Sequence, residues 1–199
     1  MHRREETLIP LPEHIEATTS VRSTVLLTSL QALRARGVYE RYVSLLAPSW
    51  REEIAALAGQ WVPVSVAIAH YAACDGLDLP DEEIVSIGAS VGLVANRSTL
   101  SAVVRLAKEA GVTPWAPLGM IDKILAHTWV GGAITVVKIG PKDARLEWHE
   151  QPCAASRYFR LGFLGVLTVL GGLFSRSPFV KMIEARCGEN FMSYRLQWV

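Results

Sequence analysis

The sequence has few cysteines and almost no net charge. It contains three cysteines, and its formal net charge at pH 7 is +1. Cys74, Cys153 and Cys187 form no Cys-x-x-Cys pair, and scattered single cysteines are typical of free thiols in a reducing compartment. We therefore expect a cytoplasmic protein. The 20 Lys and Arg residues balance the 19 Asp and Glu residues, so no net field favours binding to nucleic acid.

The N-terminus lacks the apolar run of a secretory signal, because "MHRREETLIPLPEH" continues with acids and prolines. We expect residues 1–20 to form an arm that packs on the domain or stays loose. We expect residues 21–199 to form a single domain, because a chain of this length suits one substantial core.

Recognisable reaction chemistry is also missing. The sequence contains no GxSxG, P-loop, GxGxxG or kinase motif, and no two histidines have the i, i+4 spacing of a helical metal site. The acidic run "DGLDLPDEE" lacks the alternating ligands and the final glutamate of an EF-hand loop. The sequence therefore predicts a protein that is not an enzyme and has no metal site.

The first half of the chain has a helical pattern. From Val21 to about Gly131, apolar residues recur at three-to-four spacing, and Gly37 and Gly111 follow two of the predicted helices. One of these helices is "STLSAVVRLAKEAG". No fixed-period repeat is present, which disfavours a solenoid.

The second half has a strand pattern on either side of one helix. "AITVVKIG" and "ARLEWHE", joined by "GPKD", predict a hairpin, and "FVKMIEARCG" and "NFMSYRLQWV", joined by "CGEN", predict another. The segment from 154 to 174 between them predicts a helix. The order indicates an α+β fold, in which hairpin, helix and hairpin form a four-stranded antiparallel sheet packed on helices.

The predicted helix between the hairpins contains "RLGFLGVLTVLGGLF", the longest nearly uncharged stretch. Its apolar residues 161–174 would span about 21 Å, short of the roughly 30 Å of a bilayer core, so we expect a buried helix without a transmembrane role. On a helical wheel, Gly162, Gly165, Val169 and Gly172 form a smooth seam opposite a bulky face. This seam is a candidate for packing within the chain, for a homodimer interface or for a ligand channel.

Aromatic, histidine and cysteine residues on apolar segments are the candidates for a ligand pocket. They are Trp61, His70, Tyr71, Cys74, His127, Trp129 and Tyr158. The alternative interpretation of His70 and His127 is a histidine that bonds a backbone carbonyl. The alternative for Cys74 is a buried, inert thiol.

The chain resembles a little-characterised bacterial family best known from myxobacteria. The resemblance is carried by "TVLLTSLQALRARG", "WVPVSVAIAHYAACDGLDLPDEEIVSIG", "SRYFRLGFLGVL" and a final "YRLQW". The order of elements is also similar to that of 4-vinyl-reductase-type domains, haem nitric-oxide-binding (H-NOX) domains and TRAPP vesicle-tethering subunits. The resemblance implies a ligand-binding or interaction domain, often dimeric, with a pocket between helices and sheet.

Two motifs differ from those of these relatives. H-NOX domains have a Tyr-x-Ser-x-Arg motif, whereas "SRYFR" and "SYRLQ" have related residues in another order, so haem is not expected. Some 4-vinyl-reductase-type domains have a cysteine pair near the last hairpin, where this chain has Cys187 alone, so a zinc site is not expected.

These observations predict a non-enzymatic cytoplasmic domain that binds a lipid or another small apolar molecule, or serves as a dimeric sensory module. One alternative is a TRAPP-like protein-interaction subunit without a ligand. A further alternative is a haem sensor.

Overall fold

The computed structural model describes residues 5–96 and 113–199. Its first elements are β1 (Glu6–Ile9), β2 (Ser20–Arg22), α1 (Ser23–Ala35), α2 (Tyr39–Leu45), α3 (Pro48–Ala55), β3 (Trp61–Pro63), α4 (Val64–Asp75) and α5 (Asp81–Asn96). From residue 113 onward they are α6 (Trp115–Leu118), α7 (Ile121–Leu125), β4 (Trp129–Val130), β5 (Ala133–Gly140), β6 (Asp143–His149), α8 (Arg157–Phe174), β7 (Pro178–Met182) and β8 (Phe191–Trp198). Short 3-10 helices occupy Pro152–Ala155 and Glu184–Arg186. The helix predicted for "STLSAVVRLAKEAG" lies outside the described residues.

The main sheet is antiparallel, with strand order β1-β5-β6-β8-β7, and it confirms the predicted α+β class. Both predicted hairpins are present, since β5 pairs with β6 and β7 pairs with β8. One face of the sheet carries Leu146, Trp148 and Tyr194, which are buried beneath α8. Because successive residues of a strand point to opposite faces, the other face carries the charged residues of β6 and β8.

The sheet has five strands where the sequence predicted four. The fifth is β1, which comes from the predicted N-terminal arm and pairs with β5 through Thr7 and Val137. The Thr135 hydroxyl donates to the Ile9 carbonyl oxygen at 2.6 Å, and the Glu5 carboxylate lies 3.0 Å from the Arg145 guanidinium. These contacts fix part of the arm to the domain, a role that its short, proline-interrupted pattern does not reveal.

A second sheet of three very short strands, in the order β3-β2-β4, was missed by the sequence analysis. Val21 at its centre faces Val62 on one side and Trp129 on the other. Strands of two or three residues are too short for an alternating pattern to be recognised. The small sheet holds Trp129 inside the molecule, where only 6% of its surface is exposed.

The helices α5 and α8 cross in direct backbone contact. A Cβ atom added to Gly165 would lie 2.1 Å from the carbonyl oxygen of Val85, and one added to Gly88 would lie 1.9 Å from that of Gly162. A Cβ on Gly92 would lie 3.6 Å from the Cβ of Val169. At these positions the predicted seam of α8 therefore faces another helix of the same chain.

The helix α8 has 18 residues and begins three residues later than the predicted 154–174 helix, because Pro152–Ala155 form a 3-10 helix. Among the described residues it is the one helix that is long and apolar enough to cross a membrane by length and composition. It packs on α5 along one side and on the sheet along the other. This is the arrangement expected of the core helix of a domain.

We predict that Gly165→Ala destabilises the protein by at least about 2 kcal/mol, because the added methyl group forces the α5 backbone away. The matched control is Gly172→Ala. Gly172 is exposed on the same helix, and a Cβ there meets nothing nearer than 4.0 Å, so alanine should stabilise by up to about 1 kcal/mol. Urea unfolding of the three proteins measures both effects. Equal stability of Gly165→Ala and the wild type would contradict the crossing.

Candidate functional site

An apolar pocket of about 90 Å³ lies between α1, α5, α7, α8 and β4. Most of its wall is formed by apolar side chains, among them Val25, Ile87, Leu125, Trp129, Phe159 and Phe163. This volume is below the roughly 300 Å³ at which sites for drug-sized ligands begin. It therefore suits a small molecule.

Three glycines leave room for this pocket. Gly88 and Gly92 on α5 and Gly162 on α8 all line it. Apart from its own helix backbone, a Cβ atom on Gly162 would have no atom of the described residues within 4 Å, in contrast to the crowded position of Gly165 one turn later. The pocket thus lies beside the backbone crossing, where Gly162 has no side chain to fill it.

Two buried hydroxyl groups, those of Ser29 and Tyr158, interrupt the apolar lining. Ser29 is 3% exposed and Tyr158 is 2% exposed, and their oxygen atoms are 2.9 Å apart. Buried hydroxyls in an apolar wall are the groups that orient a bound molecule. Ser29 lies on the core-facing side of α1, and Tyr158 lies in the first turn of α8.

The start of α8 is held in place by two side chains. The Ser156 hydroxyl accepts a hydrogen bond from the amide of Phe159 at 3.1 Å. The Asp75 carboxylate, at the end of α4, accepts one from the amide of Tyr158 at 2.7 Å. Both carboxylate and hydroxyl satisfy amides that a helix leaves free at its N-terminus, and this fixes the position of Tyr158.

The two hydroxyls continue into a buried hydrogen-bond relay. His70 Nε2 lies 3.0 Å from the Ser29 oxygen, and His70 Nδ1 lies 2.8 Å from the Tyr42 hydroxyl. The relay thus runs from Tyr158 on α8 through Ser29 on α1 and His70 on α4 to Tyr42 on α2. The Cys74 sulfur lies 3.7 Å from His70 Nε2 and borders the relay.

Burial keeps every group of the relay uncharged. It lowers the pKa of His70 to about 3, because the imidazolium form would lose its hydration. It also raises the pKa of the Tyr42 and Tyr158 hydroxyls and that of the Cys74 thiol. At neutral pH the relay therefore consists of neutral hydrogen-bonding groups without an ionised nucleophile.

The structure places the seven sequence-predicted pocket residues in three locations. Tyr71, Trp129 and Tyr158 line the pocket, and His70 and Cys74 lie behind it in and beside the relay. Trp61 and His127 lie outside the pocket at the molecular surface.

The outward position of Trp61 and His127 has local causes. Trp61 belongs to β3, where its neighbour Val62 takes the inward position, and the Arg22 guanidinium covers its ring at 4.5 Å. His127 follows the end of α7 in an exposed turn. Neither residue therefore belongs to the ligand pocket for which it was a candidate.

The seam residues are also divided. Gly165 and Val169 contact α5, Gly162 lines the pocket, and Gly172 is exposed beside Pro178. A helical wheel places these four residues on one face of α8. It does not show that different parts of this face line a pocket, contact another helix and are exposed at the surface.

The sequence analysis missed most of the apolar wall, including Val25, Ile87 and Phe163, and with it four residues that form the polar groups and the glycine face of the site. They are Ser29, Tyr42, Gly88 and Gly92. The i, i+4 spacing of the two glycines in "SIGASVG" is a signal for close helix packing that was available. Ser29 and Tyr42 carry no such signal, because their partners are distant in sequence.

We predict that His70 makes stability depend on pH below neutrality. Its pKa in the folded protein, about 3, is below the ordinary value of 6.5, so the unfolded chain takes up the proton first as the pH falls. The stability contributed by neutral His70 is complete above about pH 6.5 and decreases toward pH 3. From pH 7 to pH 5 the loss should be about 2 kcal/mol.

Urea unfolding at several pH values measures this loss, with His70→Gln as the variant that removes it. His149, whose pKa burial also lowers, titrates in both proteins and cancels in the comparison. His127→Gln, the same replacement at an exposed position outside the relay, is the matched control. If the free energy of unfolding depended on pH with the same slope in the wild type and in His70→Gln, the result would contradict a buried, neutral His70.

The fold is that of solved H-NOX domains. A mutant Fe(II) unliganded H-NOX protein from K. algicida superposes with a TM-score of 0.67 at 10% identity, covering 89% of this chain and 96% of that one. A structure from work on heme distortion in the H-NOX family has a TM-score of 0.62 at 13% identity, covering 89% and 94%. An oxygen-binding H-NOX domain related to soluble guanylate cyclases has a TM-score of 0.56 at 13% identity, with the same coverage. At these identities the likeness shows the fold alone.

Sequence comparison adds no closer relationship. No family model matches the chain, and no curated protein matches its sequence. The resemblance to the myxobacterial family, to 4-vinyl-reductase-type domains and to TRAPP subunits therefore stays a prediction.

The residues of the pocket do not fit a haem, although one of these similar structures comes from work on heme distortion. Within residues 5–96 and 113–199, His14 and His127 are exposed, His149 lies on the outer face of the main sheet, and both ring nitrogens of His70 have hydroxyl partners. Outside these ranges, residues 97–112 contain no His, Cys, Met or Tyr, and residues 1–4 contain Met1 and His2. A pocket of about 90 Å³ is also below the roughly 300 Å³ at which cofactor sites begin.

Proposed function

We propose that the protein is a non-enzymatic sensory module that binds a small apolar molecule in the pocket between α5 and α8. The observation that carries this proposal is the apolar pocket itself, whose wall contains the buried hydroxyls of Ser29 and Tyr158. Apolar walls supply affinity, and a few fixed polar groups supply orientation.

The volume limits the ligand to a few non-hydrogen atoms. An engineered cavity of about 150 Å³ in another protein binds benzene or xenon, and this pocket has about 90 Å³. A whole lipid acyl chain exceeds that volume. Of the predicted ligands, a lipid or another small apolar molecule, the proposal therefore keeps the second.

The relay gives the pocket a route to the rest of the fold. A molecule that contacts Ser29 or Tyr158 touches a chain of hydrogen bonds that reaches His70 and Tyr42. Four helices are joined by these bonds, so a changed bond at the pocket alters contacts on α2. This coupling supports a sensory role.

The relay also supports a role without catalysis. Buried groups held neutral, such as the Cys74 thiol with its raised pKa, are poor nucleophiles. We also propose a cytoplasmic location, because all three cysteines are free.

We predict that Gly162→Leu abolishes ligand binding and preserves the fold, because the new side chain fills the pocket from a position with free space around its Cβ. Gly172→Leu, which adds the same side chain on the exposed part of α8, is the matched control and should bind like the wild type. Cyclopentane is the probe, and NMR shifts of the Val25 and Ile87 methyl groups report its binding. Unchanged shifts in the wild type would exclude ligand binding in this pocket.

A haem sensor is the second candidate, and the H-NOX fold is the observation that favours it. Because the described histidines offer no free ring nitrogen toward the pocket, we predict that haem added to the purified protein produces no Soret band of bound haem. Absorbance spectroscopy with titrated haem measures this. A saturable Soret band at one haem per chain, abolished by His70→Gln, would replace the small-molecule proposal with the haem sensor.

The homodimer and a TRAPP-like interaction subunit stay predictions. Gly165, one of the residues proposed for an interface, is buried against α5 in the same chain, so a dimer would use another surface. On the outward face of the small sheet, Trp61 is 38% exposed and Val130 is 46% exposed. Val130 directly follows the pocket-lining Trp129 in the sequence.

A further inference from the structure

The direction of the buried relay follows from counting its protons. Tyr42, Ser29 and Tyr158 each carry one hydroxyl proton, and neutral His70 carries one ring proton, which together exceed the three hydrogen bonds by one. One proton is therefore left over, and it lies at one end of the relay or the other.

The position of the surplus proton depends on the tautomer of His70. If Nε2 carries the ring proton, Tyr42 donates to Nδ1, Nε2 donates to Ser29, and the surplus proton belongs to the Ser29–Tyr158 pair at the pocket. If Nδ1 carries it, all bonds reverse and the surplus proton is on Tyr42.

The Tyr42 end cannot accommodate that proton well. Tyr42 is 0% exposed, and His70 is the one hydrogen-bond partner that its hydroxyl has in the described part of the chain. A buried hydroxyl proton without an acceptor costs about 1–3 kcal/mol. At the other end, Ser29 and Tyr158 line the pocket, where a ligand can supply the acceptor.

We propose that Tyr42 and His70 fix the direction of the relay so that its surplus proton faces the pocket, and that the ligand is therefore a small apolar molecule with one hydrogen-bond acceptor. A cyclic ether or a small ketone has this chemistry. A molecule that can only donate leaves the surplus proton without an acceptor, or forces the relay to reverse. The inference rests on the proposed function for the ligand, but the direction of the relay is a property of the protein alone.

The first experiment determines the tautomer in the protein without ligand. Couplings between carbon-bound protons and the ring nitrogens of ¹⁵N-labelled His70 distinguish the two neutral tautomers by NMR. We expect the proton on Nε2. A proton on Nδ1 would overturn the inference.

The second experiment compares three five-membered rings of similar size. Tetrahydrofuran accepts a hydrogen bond, pyrrole only donates one, and cyclopentane does neither. We expect tetrahydrofuran to bind about fivefold more tightly than cyclopentane, and pyrrole to bind more weakly than both, as measured by NMR titration. Tighter binding of pyrrole than of tetrahydrofuran would contradict the inference.

The variant Tyr42→Phe removes the hydroxyl that fixes the direction. The two tautomers of His70 then become closer in energy, so the preference for tetrahydrofuran over pyrrole should fall to about twofold or less. Tyr39→Phe is the matched control, because Tyr39 lies on the same helix, outside the relay, and should keep the wild-type preference. The same preference in Tyr42→Phe and wild type would show that Tyr42 does not set the ligand class.

The outcomes separate the two proposals. If none of the rings binds to the wild type, the proposed function is wrong, whatever the tautomer. If the rings bind and Nδ1 carries the proton, the function stands and the inference is wrong. Should Tyr42→Phe fail to fold, the tautomer and ring series in the wild type still decide the matter.

Discussion

The backbone contact between α5 and α8 is the constraint on which the rest of the structure depends. Gly165 allows α8 to approach Val85 to a distance that any side chain would prevent, and Gly88 does the same against Gly162. Helices this close leave little volume between them at the crossing. An apolar pocket lies beside the crossing, where Gly162 has no side chain. The larger residues Trp129 and Phe163 form part of its wall. The contact thus determines both the position of the core helix and the place where a ligand can bind.

The hydrogen-bond relay distinguishes this pocket from a cavity that imperfect packing leaves in an apolar core. A defect lined by leucine or phenylalanine alone offers no preferred orientation to a guest, whereas Ser29 and Tyr158 offer a fixed pair of hydroxyls. Their cost of burial is offset by His70 and Tyr42, which complete the hydrogen bonds. Since burial keeps His70 neutral, one proton count holds for the whole relay at neutral pH. The neutral hydrogen-bond relay and the apolar wall therefore belong to one site.

The sequence predicted those parts of the fold whose signal is local. The β-branched run in Ala133–Gly140 and the alternation in Phe191–Trp198 extend over eight residues each and were sufficient for the hairpins. The strands β1 to β4 have two to four residues, too few for a pattern. The helical wheel of α8 found the small-residue seam, but the partner of Gly165 is decided by tertiary packing. The bond between Ser29 and Tyr158 joins positions 129 residues apart, and no local pattern records it.

A crystal structure of the protein under xenon pressure tests the central claim most directly. Xenon is apolar, is small enough for the pocket and is located without ambiguity by its anomalous scattering. The account predicts a xenon site between α5 and α8, next to the Cα of Gly162 and within contact of Phe163, and predicts its loss in Gly162→Leu. Xenon bound only at other positions, with none beside Gly162, would contradict it.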